Sequence, residues 1–261
     1  MAQKKLKDHV VLVTGGTQGL GREIALRAAS LGARGIVFCG RSESKGRTVS
    51  GELAELGAES LYVRADLSKV ADCLAVIEAA DGRFGRIDGL VNAAASTARG
   101  TIDDTSPEAW DAMMDLNLRA PFLLMQGCIK VMRREGRGGS IVNILSVSAH
   151  GGQPKLTAYC TSKGGLAVLT KNVAYAVRRD RIRVNGLNIG WMATPGEHAI
   201  QKAEGAPEDW LDRADAAAPM GRILRPLDVA RLATFLLSTD GAMMTGSIID
   251  FDTNVIVGAF D

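Results

Sequence analysis

Histidine and cysteine are scarce in this sequence. The three histidines (His9, His150, His198) and four cysteines (Cys39, Cys73, Cys128, Cys160) are far apart and form no CxxC pair, so no structural metal site is expected. No apolar run approaches the roughly 20 residues needed to span a bilayer. The opening MAQKKLKDHV has neither the apolar core nor the small-residue cleavage site of a signal peptide. A reduced, cytoplasmic setting is expected. An excess of one charge is missing too: 31 Lys and Arg face 29 Asp and Glu, scattered without basic blocks, which argues against nucleic acid or membrane as partners. There is no internal repeat, low-complexity tract or Pro/Ser-rich linker. With 46% apolar residues, the 261-residue chain suffices for one α/β domain with a real core.

What is present is an alternation. VVLVTG (10–15), GIVFCG (35–40), SLYVRAD (60–66), IDGLVNA (87–93), GSIVNILS (139–146), IRVNGLN (182–188) and GSIIDFD (246–252) read as strands. Between them, segments such as GREIALRAASLG (21–32), SGELAELG (50–57) and DCLAVIEAADGRFG (72–85) place apolar residues at three- and four-residue steps, with Gly at the end. Strands that are apolar almost throughout, separated by helices, imply a parallel sheet covered on both faces. The expected fold is a doubly wound, Rossmann-like, single-domain α/β structure of seven strands. Residues 190–226, irregular and of mixed polarity, read as an inserted helical lid.

VTGGTQGLGREIAL (13–26) places Gly15, Gly19 and Gly21 between the first strand and the first helix. A phosphate can rest on a helix N-terminus only if the turn is tight and no side chain covers the backbone N–H groups. A dinucleotide site is the functional reading, and a ligand-free glycine turn is the alternative. No Lys-Ser/Thr pair follows, so a triphosphate loop does not fit. An acid at the end of the second strand would bind a ribose, whereas an Arg would favour a 2′-phosphate. FCGRSES offers Arg41 and no acid before Glu43, which favours NADP over NAD and leaves NAD open.

AYCTSKGGLAVL (158–169) puts Tyr159 and Lys163 four positions apart, on one helical face. A phenol is a poor base near neutrality, but a nearby ammonium favours its ionised form, so Tyr159 can exchange a proton with an alcohol or carbonyl oxygen. A packed Tyr beside a snorkelling Lys is the alternative. Ser146 and Ser148, at a strand end shortly before Tyr159, strengthen the catalytic reading, because open α/β sheets bind ligands there.

Taken together, the chain resembles the short-chain dehydrogenase/reductase family over nearly its whole length. TGGTQGLG (14–21) is similar to the family's TGxxxGxG, Ala65-Asp66 to its adenine-contacting segment, and NAAA (92–95) to its NNAG. Asn117 in MMDLNLRAPF corresponds to the family's helix asparagine, and Ser146 stands 13 residues before Tyr159, as the family's serine does. The resemblance implies that Tyr159 is the proton donor or acceptor and Ser146 orients the substrate oxygen. Lys163 would hold the nicotinamide ribose and lower the Tyr pKa, and Asn117 would hold a water linking Lys163 to solvent. Asp66 would contact adenine, Asn92 would support sheet and cofactor, and Thr194 would meet the nicotinamide amide. Thr17, Gln18, Leu20, Ser42, Leu67, Ala93, Ala94, Ile189, Gly190 and Met192 would complete the cofactor contacts. A homotetramer or homodimer is implied as well. Ala95 and Ile189 depart from the family's glycine and proline, and IIDFDTNVIVGAFD from its Asp-Gly-Gly ending.

His150, Gln153, Trp191 and His198 are further substrate-facing candidates, each with a surface or packing role as the alternative. Cys160 points about 100° away from Tyr159 and reads as an inert thiol. The polar candidates suggest a hydroxylated substrate such as a sugar or polyol. The expected function is NAD(P)-dependent interconversion of a secondary alcohol and a carbonyl. A catalytically silent dinucleotide-binding regulator or scaffold is the alternative from another class. A sugar-nucleotide epimerase would need a longer C-terminal substrate domain.

Overall fold

The computed structural model describes residues 5–254. Seven parallel strands form one sheet: β1 (Val10–Thr14), β2 (Gly35–Gly40), β3 (Glu59–Arg64), β4 (Gly89–Asn92), β5 (Gly139–Ser146), β6 (Ile182–Ile189) and β7 (Ile248–Phe251), in the order β3-β2-β1-β4-β5-β6-β7. The chain winds outward from β1 to β3, then returns to the other side of β1 with β4. That reversal opens a crevice beyond the carboxyl ends of β1 and β4.

Nine helices among the described residues connect the strands: α1 (Gly19–Ser30), α2 (Glu43–Glu55), α3 (Val70–Phe84), α4 (Pro107–Met114), α5 (Ala120–Glu135), α6 (Thr157–Val177), α7 (Pro195–Ala203), α8 (Trp210–Ala217) and α9 (Pro226–Leu237). Successive strand side chains point to opposite faces, and β1 divides the core accordingly. Val11 and Val13 join α1, α2 and α9 through Ile24, Leu53 and Leu236, whereas Val10 and Leu12 join α3, α5 and α6 through Val76, Leu124 and Val177. All four β1 valine and leucine side chains are fully buried. This explains why these strands read as continuous apolar runs.

Two boundaries differ from the sequence reading for identifiable reasons. α2 begins at Glu43 rather than near 50, because the Ser42 hydroxyl caps it by accepting from the Lys45 N–H, and Gly46, Val49 and Leu53 supply a narrow buried stripe. β4 starts at Gly89 because the preceding Asp88 turns its carboxylate to the Val10 N–H, 2.8 Å away. The stretch 190–226 holds α7 and α8. Helix α8 packs Trp210 and Ala214 with Ile223 in a small separate cluster, whereas α7 buries no residue fully. No helix among the described residues is long and apolar enough to cross a membrane.

Candidate active site

The crevice is a cleft of about 1070 Å³. Its floor begins at the glycine turn. Gly15 takes a left-handed φ of +64°, and a Cβ on Gly21 would press on the Gly15 and Thr14 carbonyl groups, so the turn closes only with glycine there. Gln18, at the N-cap of α1, is extended and donates no side-chain cap; its amide oxygen accepts from Lys45 instead. The first turn of α1 therefore offers N–H groups to the cleft, which Gln18, Gly19, Leu20 and Gly21 line. Thr14 fixes the opposite side: its buried hydroxyl accepts from the Ala93 and Ala94 N–H groups at 2.9 and 3.0 Å. A bare cradle at a helix N-terminus, continuous with a long cleft, fits a dinucleotide.

Gly15, Thr17, Arg41, Asp66, Leu67, Ala93, Ala94, Ile189, Gly190, Met192 and Thr194 also line the cleft. Arg41 has no hydrogen-bond or ion-pair partner among the described residues. Asp66 accepts from the Ser68 hydroxyl at 2.8 Å, and that bond, with the Ser68 N–H and the nearby Lys69 and Arg41 charges, holds its carboxyl below the usual range. Two expected contacts lie elsewhere. The Ser42 hydroxyl caps α2 and is not on the cleft wall. Asn92 is buried behind the cleft and donates to Asn143 Oδ1 at 2.8 Å; Asn143 in turn donates to Thr170 Oγ1 at 2.9 Å. This polar ladder supports the sheet beneath the site.

At the far end stand Ser146, Tyr159 and Lys163, all three buried and all lining the same cleft. Ser146 Oγ lies 3.1 Å from Ser148 Oγ, which donates to Gln153 Oε1 at 2.6 Å. Lys163 Nζ donates to the Ile144 carbonyl at 2.8 Å and sits 5.7 Å from the Tyr159 ring centre. Burial lowers the Lys163 pKa to about 8. Burial likewise pushes the Tyr159 phenol upward, against the influence of Ser146; Cys160 and Glu197 add to the rise and Arg99 opposes it. The Lys163 ammonium faces a carbonyl, and burial is the largest influence on the phenol.

Asn117 sits in a π-turn over Asp115–Arg119, a distortion frequent near functional sites. Its Oδ1 accepts from the Ser96 N–H at 2.9 Å, and its amide donates to Ser96 O and Ser162 Oγ at 2.9 and 3.2 Å. It pins the loop after β4 to α6 and is not part of the cleft wall. His150 also lies off the wall, its Nε2 2.9 Å from Asp250 Oδ1. His198 packs edge-on to Trp210 at 4.9 Å. Gln153 and Trp191 do line the cleft. The half-buried Cys160 has its thiol pKa raised by burial, as an inert thiol would.

Several wall residues were not anticipated. Arg99, after β4, pairs through Nε with Glu204 Oε1 at 2.8 Å, and Glu197 Oε1 accepts from Trp191 Nε1 and Gln201 Nε2, each at 2.8 Å. Lys155 and Asp252 line the wall as well. The sequence carries no signal for Arg99 beyond its place after a central strand, and the acids of 195–204 were legible only as helix polarity.

A seven-stranded parallel sheet with a bare glycine cradle and a Ser-Tyr-Lys wall defines a dinucleotide-binding oxidoreductase fold. Residues 15–253 match the family model described as Enoyl-(Acyl carrier protein) reductase. The chain belongs to the short-chain dehydrogenase/reductase family, whose members use nicotinamide cofactors. It is 32% identical to a 2-(S)-hydroxypropyl-CoM dehydrogenase 3 of Xanthobacter autotrophicus, covering 95% of this chain and 96% of the relative. It is 31% identical to an NADP-dependent (R)-specific alcohol dehydrogenase of Lentilactobacillus kefiri, over 93% and 94% of the two chains. The crystal structure of levodione reductase superposes with a TM-score of 0.88 at 30% identity, over 95% and 97%.

Proposed function

We propose that this protein is an NADP-linked oxidoreductase that interconverts a secondary alcohol and a carbonyl, with Tyr159 as its general acid and base. The observation that carries the reading is the sharing of one cleft by the glycine cradle and by Ser146, Tyr159 and Lys163. A bound nicotinamide dinucleotide would supply or accept the hydride. Gly15 to Gly21 would hold its pyrophosphate, Asp66 its adenine end, and Arg41 its 2′-phosphate.

The chain's own residues account for the proton. With burial raising its pKa, the Tyr159 phenol is protonated at neutrality and can deliver a proton to a carbonyl oxygen as that oxygen gains charge. Ser146, which shares the cleft with Tyr159 and favours its ionised form, is the residue that would hold the same oxygen. Lys163, fixed on the Ile144 carbonyl, presents its remaining donors to the cleft wall. Residues 190–226 act as a lid: α7 buries no residue fully, and lightly packed elements are the ones that open at low cost. A hydroxylated substrate such as a sugar or polyol, a cytoplasmic setting and a homotetramer or homodimer complete the reading.

Tyr159→Phe is the direct test. It removes one oxygen from a position that does not touch the glycine cradle, so NADPH binding, followed by fluorescence, should persist while turnover falls at least about a hundredfold. Full activity in this variant would refute the mechanism.

A further inference from the structure

The wall around Tyr159 is selective in a way that the transfer of one hydride does not require. On α7, Glu197 Oε1 already accepts from Trp191 and Gln201, while its Oε2 has no partner among the described residues. A carboxylate has about four acceptor sites, so this half-buried group retains unused capacity in the cleft. The other unused groups lining the cleft are donors. Gln153 Oε1 is taken by the Ser148 hydroxyl, which leaves its amide N–H groups without a partner among the described residues. Arg99 uses only Nε on Glu204. Beside them, Trp191 has its N–H held and its ring 5.7 Å from that of Trp210, and it still exposes 45% of its surface.

An unused acceptor and unused donors in one cleft are satisfied together by a group that both donates and accepts. A hydroxyl does this; a carboxylate or an alkyl group does not. An acid substituent beside Glu197 would meet a like charge at its unpartnered Oε2. A plain alkyl chain would cover Glu197 without giving it a partner, which is the costly outcome for a charged acceptor.

We infer that the substrate carries further hydroxyls besides the one that reacts, as a polyol or hydroxy-ketone does, and that Glu197, oriented by Trp191 and Gln201, is the residue that selects them. The inference rests on the oxidoreductase reading above. Glu197 and Tyr159 line the same cleft, so the selected hydroxyls share it with the reacting one.

The test compares three alcohols with the same carbon count, butan-2-ol, butane-2,3-diol and erythritol, in the wild-type protein and in Glu197→Gln with NADP. Glutamine keeps the length and turns one free acceptor into a donor, and α7 has no fully buried residue to disturb. Wild type should favour the better hydroxylated substrate over butan-2-ol at least tenfold in kcat/KM. Glu197→Gln should shrink that ratio by about 10- to 100-fold, because a site built to bond a hydroxyl discriminates through the group left unpaired. Wild-type preference for butan-2-ol, or an unchanged ratio in the variant, would overturn the inference. Calorimetric titration of erythritol into the NADPH-loaded protein separates the two readings. If erythritol binds and Glu197→Gln weakens it while no substrate turns over, the oxidoreductase reading fails and the selection stands. If erythritol affinity is the same in both proteins, the selection fails whatever the turnover.

Discussion

Replacing Gly21 by alanine perturbs the cofactor cradle at its tightest point. The added Cβ would stand 2.7 Å from the Gly15 carbonyl carbon and 3.0 Å from the Thr14 carbonyl oxygen. Carbon atoms rest about 3.5–4.0 Å apart, so the turn must move by roughly 0.8 Å or more. Nothing flexible can absorb that movement. Both opposing groups are backbone, Gly15 is held at its left-handed φ, and Thr14 is fixed by its bonds to Ala93 and Ala94. Overpacking of this kind costs about 1–3 kcal/mol, which in a chain of this size lowers Tm by about 2–12 °C. NADPH affinity should fall at least about tenfold, the equivalent of about 1.4 kcal/mol. Gly51, within α2, is the control, since a Cβ there meets nothing within 4 Å. Gly51→Ala should gain about 0.5–1 kcal/mol from helix propensity alone and raise Tm by about 1–4 °C. Scanning calorimetry with and without NADPH reads both effects. A Gly21→Ala protein that melts and binds like wild type would refute the cradle geometry.

Two further outcomes follow from charges in the cleft. Arg41→Ala should weaken NADP binding at least about tenfold while leaving NAD binding nearly unchanged, read by thermal shift with each cofactor; a larger wild-type melting shift with NAD would remove the role given to Arg41. Lys163, lowered by burial from 10.5 to about 8, binds fewer protons folded than unfolded between those values, so its burial costs stability below pH 8 and the cost is relieved as pH rises toward 10.5. The stability of Lys163→Met relative to wild type, from urea melts, should therefore be most favourable below pH 8 and decline above it; a difference that is flat with pH would show that the ammonium is not desolvated.

The fold was legible because its information is local. Each strand of a sheet buried on both faces is an apolar run, and Val10 to Val13, all fully buried, show why. The glycine turn was legible because backbone sterics, not distant partners, demand Gly15 and Gly21. Helix α2 was only half visible: its first turn is polar, and its start depends on the Ser42 cap rather than on periodicity. Contacts between distant positions left no trace. Arg99 and Glu204 are 105 residues apart, and nothing in either segment names the other. Thr14 and Asn143 brace the site through hydrogen bonds to strands brought beside them by topology alone.

The ionisation of the site separates what spacing can and cannot say. Four residues of helix bring Tyr159 and Lys163 to one face, and spacing alone then predicts an ammonium that favours the phenolate. Burial acts in the opposite direction, because the wall that conceals the phenol also conceals the amine, and desolvation disfavours both charged forms. Lys163 turns to the Ile144 carbonyl, which meets part of its need for hydrogen bonds without supplying a negative charge. On the proposed mechanism, a phenol whose pKa burial raises is an acid ready for carbonyl reduction at neutrality, and alcohol oxidation must wait for it to lose its proton. Oxidation rates should therefore climb with pH through the alkaline range while reduction does not. An oxidation rate already at its plateau at pH 7 would mean that the phenol is ionised there, and the burial that orders this site would have been misjudged.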